Sequence, residues 1–253
     1  MTRFMTNHDA HDFRAQRLHV EPDLAVGQRV PLAHEQQNYL LNVLRLASGD
    51  NVRAFNGRDG EWMTTLAVLD KRHVVLEVTR QLRPQASGPD IDYLFAPLKR
   101  SRLDYMVQKA TELGVARLRP VMTHHTNAER INLDRMRANA IEAAEQCGVL
   151  RIPEVQPPQK LAAVLAAWDP ARRLIFCDEG APIADPIAAL SAVPPGPLAV
   201  LIGPEGGFSD DERATLVAAP WTARIALGPR IMRADTAAVA ALALVNAVLG
   251  DWR

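Results

Sequence analysis

Two short segments combine residue types that could bind and act on a small molecule. The first reads Ile202-Gly203-Pro204-Glu205-Gly206-Gly207-Phe208-Ser209 and directly follows the apolar run Leu198-Ala199-Val200-Leu201. The second reads Leu227-Gly228-Pro229-Arg230-Ile231-Met232-Arg233-Ala234-Asp235-Thr236 and leads into a helix rich in Ala, Val and Leu from about Ala237. Glycine lets a backbone approach a ligand closely. Two such loops at the ends of separate strands could therefore enclose one flat molecule, with backbone groups reading its edge and apolar side chains covering its faces. A phosphate cradle is the first candidate for a glycine loop ahead of a helix. This loop, however, lacks GxGxxG and GxxxxGKS spacing, carries no lysine, and places Glu205 where a phosphate would be repelled. A neutral or cationic ligand suits it better. The plainer alternatives are a tight turn that needs glycines for geometry alone and, in the second segment, solvated loop charges at Arg230 and Arg233.

The elements that must position these loops follow from periodicity and turn chemistry. Ser209 and Glu212 have the spacing of a capping box, so a helix is expected to begin just after the first loop and to leave Gly203 to Gly207 at the C-terminal edge of a sheet. Ligands of open α/β sheets bind at that edge. Asp235 is a plausible cap for the helix after the second loop. Residues 91–96, 101–113, 117–121 and 133–146 alternate strand, helix, strand, helix, the pattern of an α/β domain with a mainly parallel sheet. Ser101 can cap the first of these helices, Leu103, Met106, Val107, Ala110 and Leu113 form its stripe, and Gly114 can take the left-handed position after it. Upstream, residues 18–20, 29–32, 52–55, 62–69 and 74–78 suggest short strands, with a turn at Asn56-Gly57 and one helix from His34 whose Tyr39, Leu40, Val43 and Leu44 share a face. Those features predict a small β-barrel domain over residues 13–84. The run Arg83-Pro84-Gln85-Ala86-Ser87-Gly88-Pro89 breaks all periodicity, so a second, α/β domain is expected over 90–253. The first dozen residues, with His8 and His11, have no apolar periodicity and suggest a frayed tail.

Composition narrows the functional classes. Lys+Arg and Asp+Glu balance at 29 each, which excludes nucleic-acid binding through overwhelming global charge. Any such contact must be local. Between Phe13 and Arg102 there are 13 basic and 10 acidic residues, a difference of +3, including Lys71-Arg72 and Lys99-Arg100-Ser101-Arg102. Apolar stretches fall short of a membrane span and no signal peptide opens the chain, so a cytoplasmic protein without membrane partners is expected. Cys147 and Cys177 have no CxxC spacing, and adjacent His124 and His125 point apart with no further ligands nearby, so no metal site is expected.

With both loops on the page, the sequence resembles the SPOUT methyltransferases and, within them, the 16S ribosomal RNA uridine-N3 methyltransferase family called RsmE. The likeness extends to Gln108-Lys109-Ala110-Thr111-Glu112-Leu113-Gly114-Val115, to Ala143-Ala144-Glu145-Gln146-Cys147-Gly148 and to Arg151-Ile152-Pro153-Glu154. It covers nearly the whole chain after the tail, with the front domain similar to the family's PUA-like module. The resemblance implies a trefoil-knotted α/β catalytic domain, an exception to the rule that chains avoid knots, and a homodimer. It implies S-adenosyl-L-methionine (SAM) held by Ile202, Gly203, Glu205, Gly206, Gly207, Leu227, Gly228, Ile231 and Met232, and 16S ribosomal RNA of the small subunit as substrate. A sulfonium cation tolerates an acidic loop that a phosphate would not. The chain departs from the family pattern at Asp235, Ala234, His124-His125-Thr126 and Val149.

Methylating N3 of uridine requires an unpaired base, loss of the N3 proton, and stabilisation of charge that spreads to the flanking carbonyls. Arg233 is the candidate for that stabilisation, and Asp235 or Glu205 for receiving the proton or orienting a water. Arg17, Arg45, Lys99, Arg100 and Arg102 are the candidate RNA contacts, with Arg53 as a further possible phosphate contact in the front domain. Other acceptors, a ribose 2′-oxygen or a transfer RNA base, and a non-catalytic ribosome-assembly role are the rivals, because fold and cofactor loops do not fix the acceptor.

Overall fold

The computed structural model describes residues 16–70, 73–126, 131–183 and 185–252, and for Arg100 the backbone alone. The tail histidines and the Lys71-Arg72 pair lie outside the described residues. The chain divides into two compact units, residues 1–87 with 144–151, and residues 88–143 with 152–253.

The first unit is built on a five-stranded sheet in the order β1-β3-β4-β5-β2, from β1 (Arg17–His19), β2 (Arg29–Pro31), β3 (Asn51–Phe55), β4 (Glu61–Val68) and β5 (Val74–Arg83). The β3-β4-β5-β2 pairings are antiparallel, and β1 joins β3 in parallel. Strand β5 continues past the expected end at Val78, because Thr79 to Arg83 pair with the start of β4 across two register irregularities. The helix begins as α1 (His34–Asn38) and then widens into a π-turn over Tyr39–Val43, closed by the Leu44 amide on the Tyr39 carbonyl. That wider winding breaks the expected stripe. Leu40 is buried, with Tyr39 and Leu44 packed beside it, but Val43 is turned out to solvent.

At one end of this sheet lies a buried ionic cluster. Glu61, with no exposed surface, accepts from Arg17 Nε at 2.6 Å and from Arg83 Nε at 2.9 Å, and Arg53 Nη1 stands 3.7 Å away. The remaining donors of Arg17 and Arg83 reach the carbonyls of Ala144, Glu145, Gly148 and Val149. The Arg17 guanidinium also lies over the Phe55 ring, 4.3 Å from its centre. Arg17 and Arg53 are thus buried structural residues, and the expectation that they contact RNA is corrected: the donors of Arg17 are consumed inside the unit, and Arg53 is buried beside Glu61.

The second unit carries a seven-stranded sheet whose main path is β12-β10-β11-β6-β7-β8, with β9 paired to β7. Its strands are β6 (Ile91–Phe95), β7 (Arg117–Met122), β8 (Glu154–Val155), β9 (Gln159–Lys160), β10 (Arg173–Cys177), β11 (Leu198–Ile202) and β12 (Thr222–Ile225), and every pairing is parallel. The helices are α2 (Arg100–Glu112), α3 (Leu133–Cys147, whose last four residues belong to the first unit), α4 (Leu161–Ala166), α5 (Pro186–Ser191), α6 (Asp210–Ala218) and α7 (Ala234–Val248). Burial on both faces explains the uninterrupted apolar run of β11. Leu198, Val200 and Ile202 join a core with α2 and α7, whereas Ala199 and Leu201 join one with α4 and Leu216 of α6.

Two caps differ from expectation. Helix α2 starts at Arg100 with Lys99 as its N-cap, so Ser101 lies inside the first turn; Gly114, at φ +74°, does take the left-handed position. Helix α7 starts at Ala234, before the expected Ala237, with Arg233 as its N-cap. Asp235 is therefore in the first turn, where its carboxylate accepts from the Thr236 amide at 3.0 Å. In both cases the extended residue before the helix carries a side chain that makes no capping bond, so local sequence gave no signal.

Candidate cofactor site

The ends of β10, β11 and β12 open into a cavity of about 290 Å³, near the small end of the range for small-molecule sites. Three chain segments wall it. Residues 202–205 with Gly207 and Phe208 come from the loop after β11, Leu227, Gly228 and 230–232 from the loop after β12, and 176–179 from the end of β10. Ala234 and Ala237 of α7 and Arg213 of α6 complete the wall.

The first loop is held from several sides. Its turn closes through the Gly207 amide on the Pro204 carbonyl at 2.9 Å, and Gly207 sits at φ +70°, a conformation that favours glycine. A Cβ on Gly203 would stand 2.5 Å from the Phe208 ring, so a larger residue there must displace that ring. The capping box is formed as the sequence suggests: Ser209 Oγ accepts from the Glu212 amide and Glu212 Oε2 from the Ser209 amide. The other Glu212 oxygen accepts from the His124 amide at 2.8 Å, and His125 Nδ1 donates to the Gly207 carbonyl at 3.2 Å. His124 and His125 are thus braces for the loop, and sequence reasoning had given them no part in the site.

The second loop is less restrained. Gly228 takes φ +93°, and Ile231 is 93% exposed although it borders the cavity. Of the residues expected around a ligand, Gly206 is the one absent from the wall; its missing Cβ would face His125 at 3.2 Å. Arg233 and Asp235 do not line the cavity either, whereas Arg230 does.

The third wall was missed because nothing in the segment 176–179 resembles a ligand loop. Asp178 is buried and accepts from Arg224 Nε at 2.7 Å, from Arg213 Nη2 at 3.1 Å and from Arg213 Nε at 3.2 Å. Burial alone would raise its pKa, but the Gly180 amide and the two arginines outweigh that and hold the carboxyl below its ordinary range. It stays charged and neutralised. Burial pushes the Cys177 thiol up to about 12, so it contributes a neutral, unreactive wall. Beside the site, Arg102 of α2 ion-pairs with Glu205. Arg102 therefore has a partner within its own unit.

The remaining candidates are scattered. Lys99 is exposed, and Arg45 is exposed in the first unit at φ +58°. The side chain of Arg100 lies outside the described residues. Among the described residues no helix is long and apolar enough to cross a membrane, and no group of three metal-binding side chains occurs.

Comparison with known proteins agrees with this geometry. The RNA methyltransferase domain family matches residues 86–246, and the RNA methyltransferase PUA domain family matches residues 32–79. The ribosomal RNA small subunit methyltransferase E of Synechocystis is 30% identical over 241 residues, covering 93% of this chain and 78% of that protein. The Rickettsia conorii protein of the same name is 28% identical over 232 residues, 91% and 94% of the two chains. Among solved structures, a Legionella pneumophila methyltransferase in complex with SAM superposes with a TM-score of 0.82 at 28% identity, over 94% of this chain and 99% of that one. The small subunit methyltransferase E of Neisseria gonorrhoeae, bound to S-adenosyl methionine, gives 0.79 at 27% identity, over 94% and 100%. This chain belongs to the RNA methyltransferase family and, within it, to the ribosomal RNA small subunit methyltransferase E proteins.

Proposed function

We propose that the chain uses SAM to methylate N3 of a uridine in 16S ribosomal RNA. The observation that carries this reading is the cavity formed where two glycine-bearing loops meet at the C-terminal edge of a parallel sheet. Its chemistry suits SAM. Glycine backbone at 203, 207 and 228 can read an adenine edge, Ile202, Leu227 and Met232 offer apolar contact to its faces, and Glu205 tolerates positive charge. When bound, SAM supplies an electrophilic methyl group on a sulfonium. The protein's own task is to bring an unpaired uracil in line with that methyl and to exclude water from the cavity.

Arg233, exposed at the N-terminus of α7, is the residue we assign to the uracil carbonyls as N3 loses its proton. Asp235, in the first turn of the same helix, is the candidate to receive that proton or to hold a water. Arg45 and Lys99 are exposed and free to contact phosphate in the way the basic runs suggested. The same reading includes the trefoil threading, a homodimer formed through the catalytic unit, action on the small ribosomal subunit, and residence in the cytoplasm. Comparing nucleosides of 16S RNA from cells with and without this gene tests it. Loss of 3-methyluridine from 16S RNA alone is expected; loss of a ribose methyl or of a transfer RNA mark instead would replace the reading.

A further inference from the structure

The ion pair between Arg102 and Glu205 is a place where a residue outside the cavity wall controls charge on the first loop. Glu205 borders the cavity on the first loop, and Arg102 reaches it from the first turn of α2. The side chains are 36% and 58% exposed, so the pair adds little to stability. Its effect on the site is larger. Asp178 is already neutralised by Arg213 and Arg224, and Arg230 brings positive charge on the second loop. Glu179 also borders the cavity, from the end of β10, but on the first loop Glu205 is the one charge presented to a ligand, and Arg102 decides how much of it a ligand feels.

We propose that the Arg102–Glu205 pair sets how strongly the site prefers a sulfonium over a thioether. The inference rests on the assignment of SAM to this cavity. SAM and its product S-adenosylhomocysteine share the adenosine and the amino-acid group, and differ by one methyl and one positive charge. Paired, Glu205 is largely cancelled and the two ligands are treated more evenly. Unpaired, the carboxylate favours the sulfonium. Arg102 acts through Glu205, so it is a specificity-setting residue and not a catalytic one. This also gives it a role that its position in Lys99-Arg100-Ser101-Arg102 does not suggest.

The test is calorimetric titration of the full-length protein with SAM and with S-adenosylhomocysteine, read as the ratio of the two dissociation constants. Arg102→Ala should shift that ratio toward SAM by roughly fivefold, the order of effect of one half-screened unit charge across a small cavity. Glu205→Gln should shift it the other way by a similar factor. The double variant, which removes both charges, should return close to the wild-type ratio. A loss of fold or loop geometry would weaken both ligands together and leave the ratio unmoved. An unmoved ratio in both single variants, with SAM still bound, overturns the role of the pair alone. Wild-type protein that binds neither ligand overturns the cofactor assignment, and the inference with it.

Discussion

Two groups of arginines, one in each unit, do different work in this molecule. In the first unit, Arg17, Arg53 and Arg83 surround the buried Glu61, and Arg17 and Arg83 spend further donors on main-chain carbonyls. In the second unit, Arg102 and Arg230 stand at an open cavity, and Arg233 is exposed at a helix start beside its second loop. The residue type is the same and the work is opposite. A guanidinium that spends its donors on a buried carboxylate and on main-chain carbonyls holds a fold together. One that keeps donors facing solvent can meet a ligand. Counting basic residues along the chain cannot tell the two apart.

The sharpest way to break the comparison is to remove the carboxylate at the centre of the first group. Glu61→Ala leaves buried arginine charge without its partner and should cost about 3–5 kcal/mol of stability by urea unfolding. A variant as stable as wild type would show that the cluster holds nothing together. The next effect is on the cavity and leaves the cluster alone. Gly203→Val places a side chain where the Phe208 ring already stands at 2.5 Å, must displace that ring and the loop with it, and should weaken SAM at least about tenfold. Gly206→Val should do less, because that missing Cβ faces His125 and not the cavity.

A smaller effect comes from acid. Burial raises the pKa of Glu61, but hydrogen bonds from Arg83 and Arg17 outweigh it and hold the carboxyl below its ordinary range in the folded state. Its contribution is therefore complete at pH values above about 4.3, the unfolded pKa, and is lost as pH falls through the lower folded one. The stability gap between wild type and Glu61→Gln should be constant from neutral pH to about pH 5 and should close in stronger acid. A gap that stayed open down to pH 2 would mean that the carboxylate charge is not what matters. The smallest effect tests the exposed group. Arg45→Ala should leave stability unchanged and lower the slope of log K for RNA against log salt by about 0.7–0.9, one phosphate contact. Arg45 would leave the RNA surface if the slope did not move.

The legible parts of this protein were local ones. The apolar run of β11, the Ser209–Glu212 box and the glycine spacing of both loops are encoded within a few residues, and they appear where the sequence places them. What escaped depends on partners far along the chain. Arg17 bonds the Val149 carbonyl, 132 residues away, and no window around Arg17 hints at that. Asp178 is fixed by Arg213 and Arg224, and His125 meets Gly207 from another crossover. The π-turn that exposes Val43 was missed for a different reason: periodicity assumes one winding, and the backbone changes it mid-helix.

The central claim, that the cavity between residues 202–208 and 227–232 serves uridine methylation, has one direct test. Purified full-length protein is incubated with methyl-labelled SAM and small ribosomal subunits from cells lacking the gene, and the RNA is digested and resolved as nucleosides by mass spectrometry. Label is expected in 3-methyluridine of 16S RNA, and none with the Gly203→Val protein. Label in a ribose methyl, or equal transfer by the Gly203→Val protein, would contradict the account.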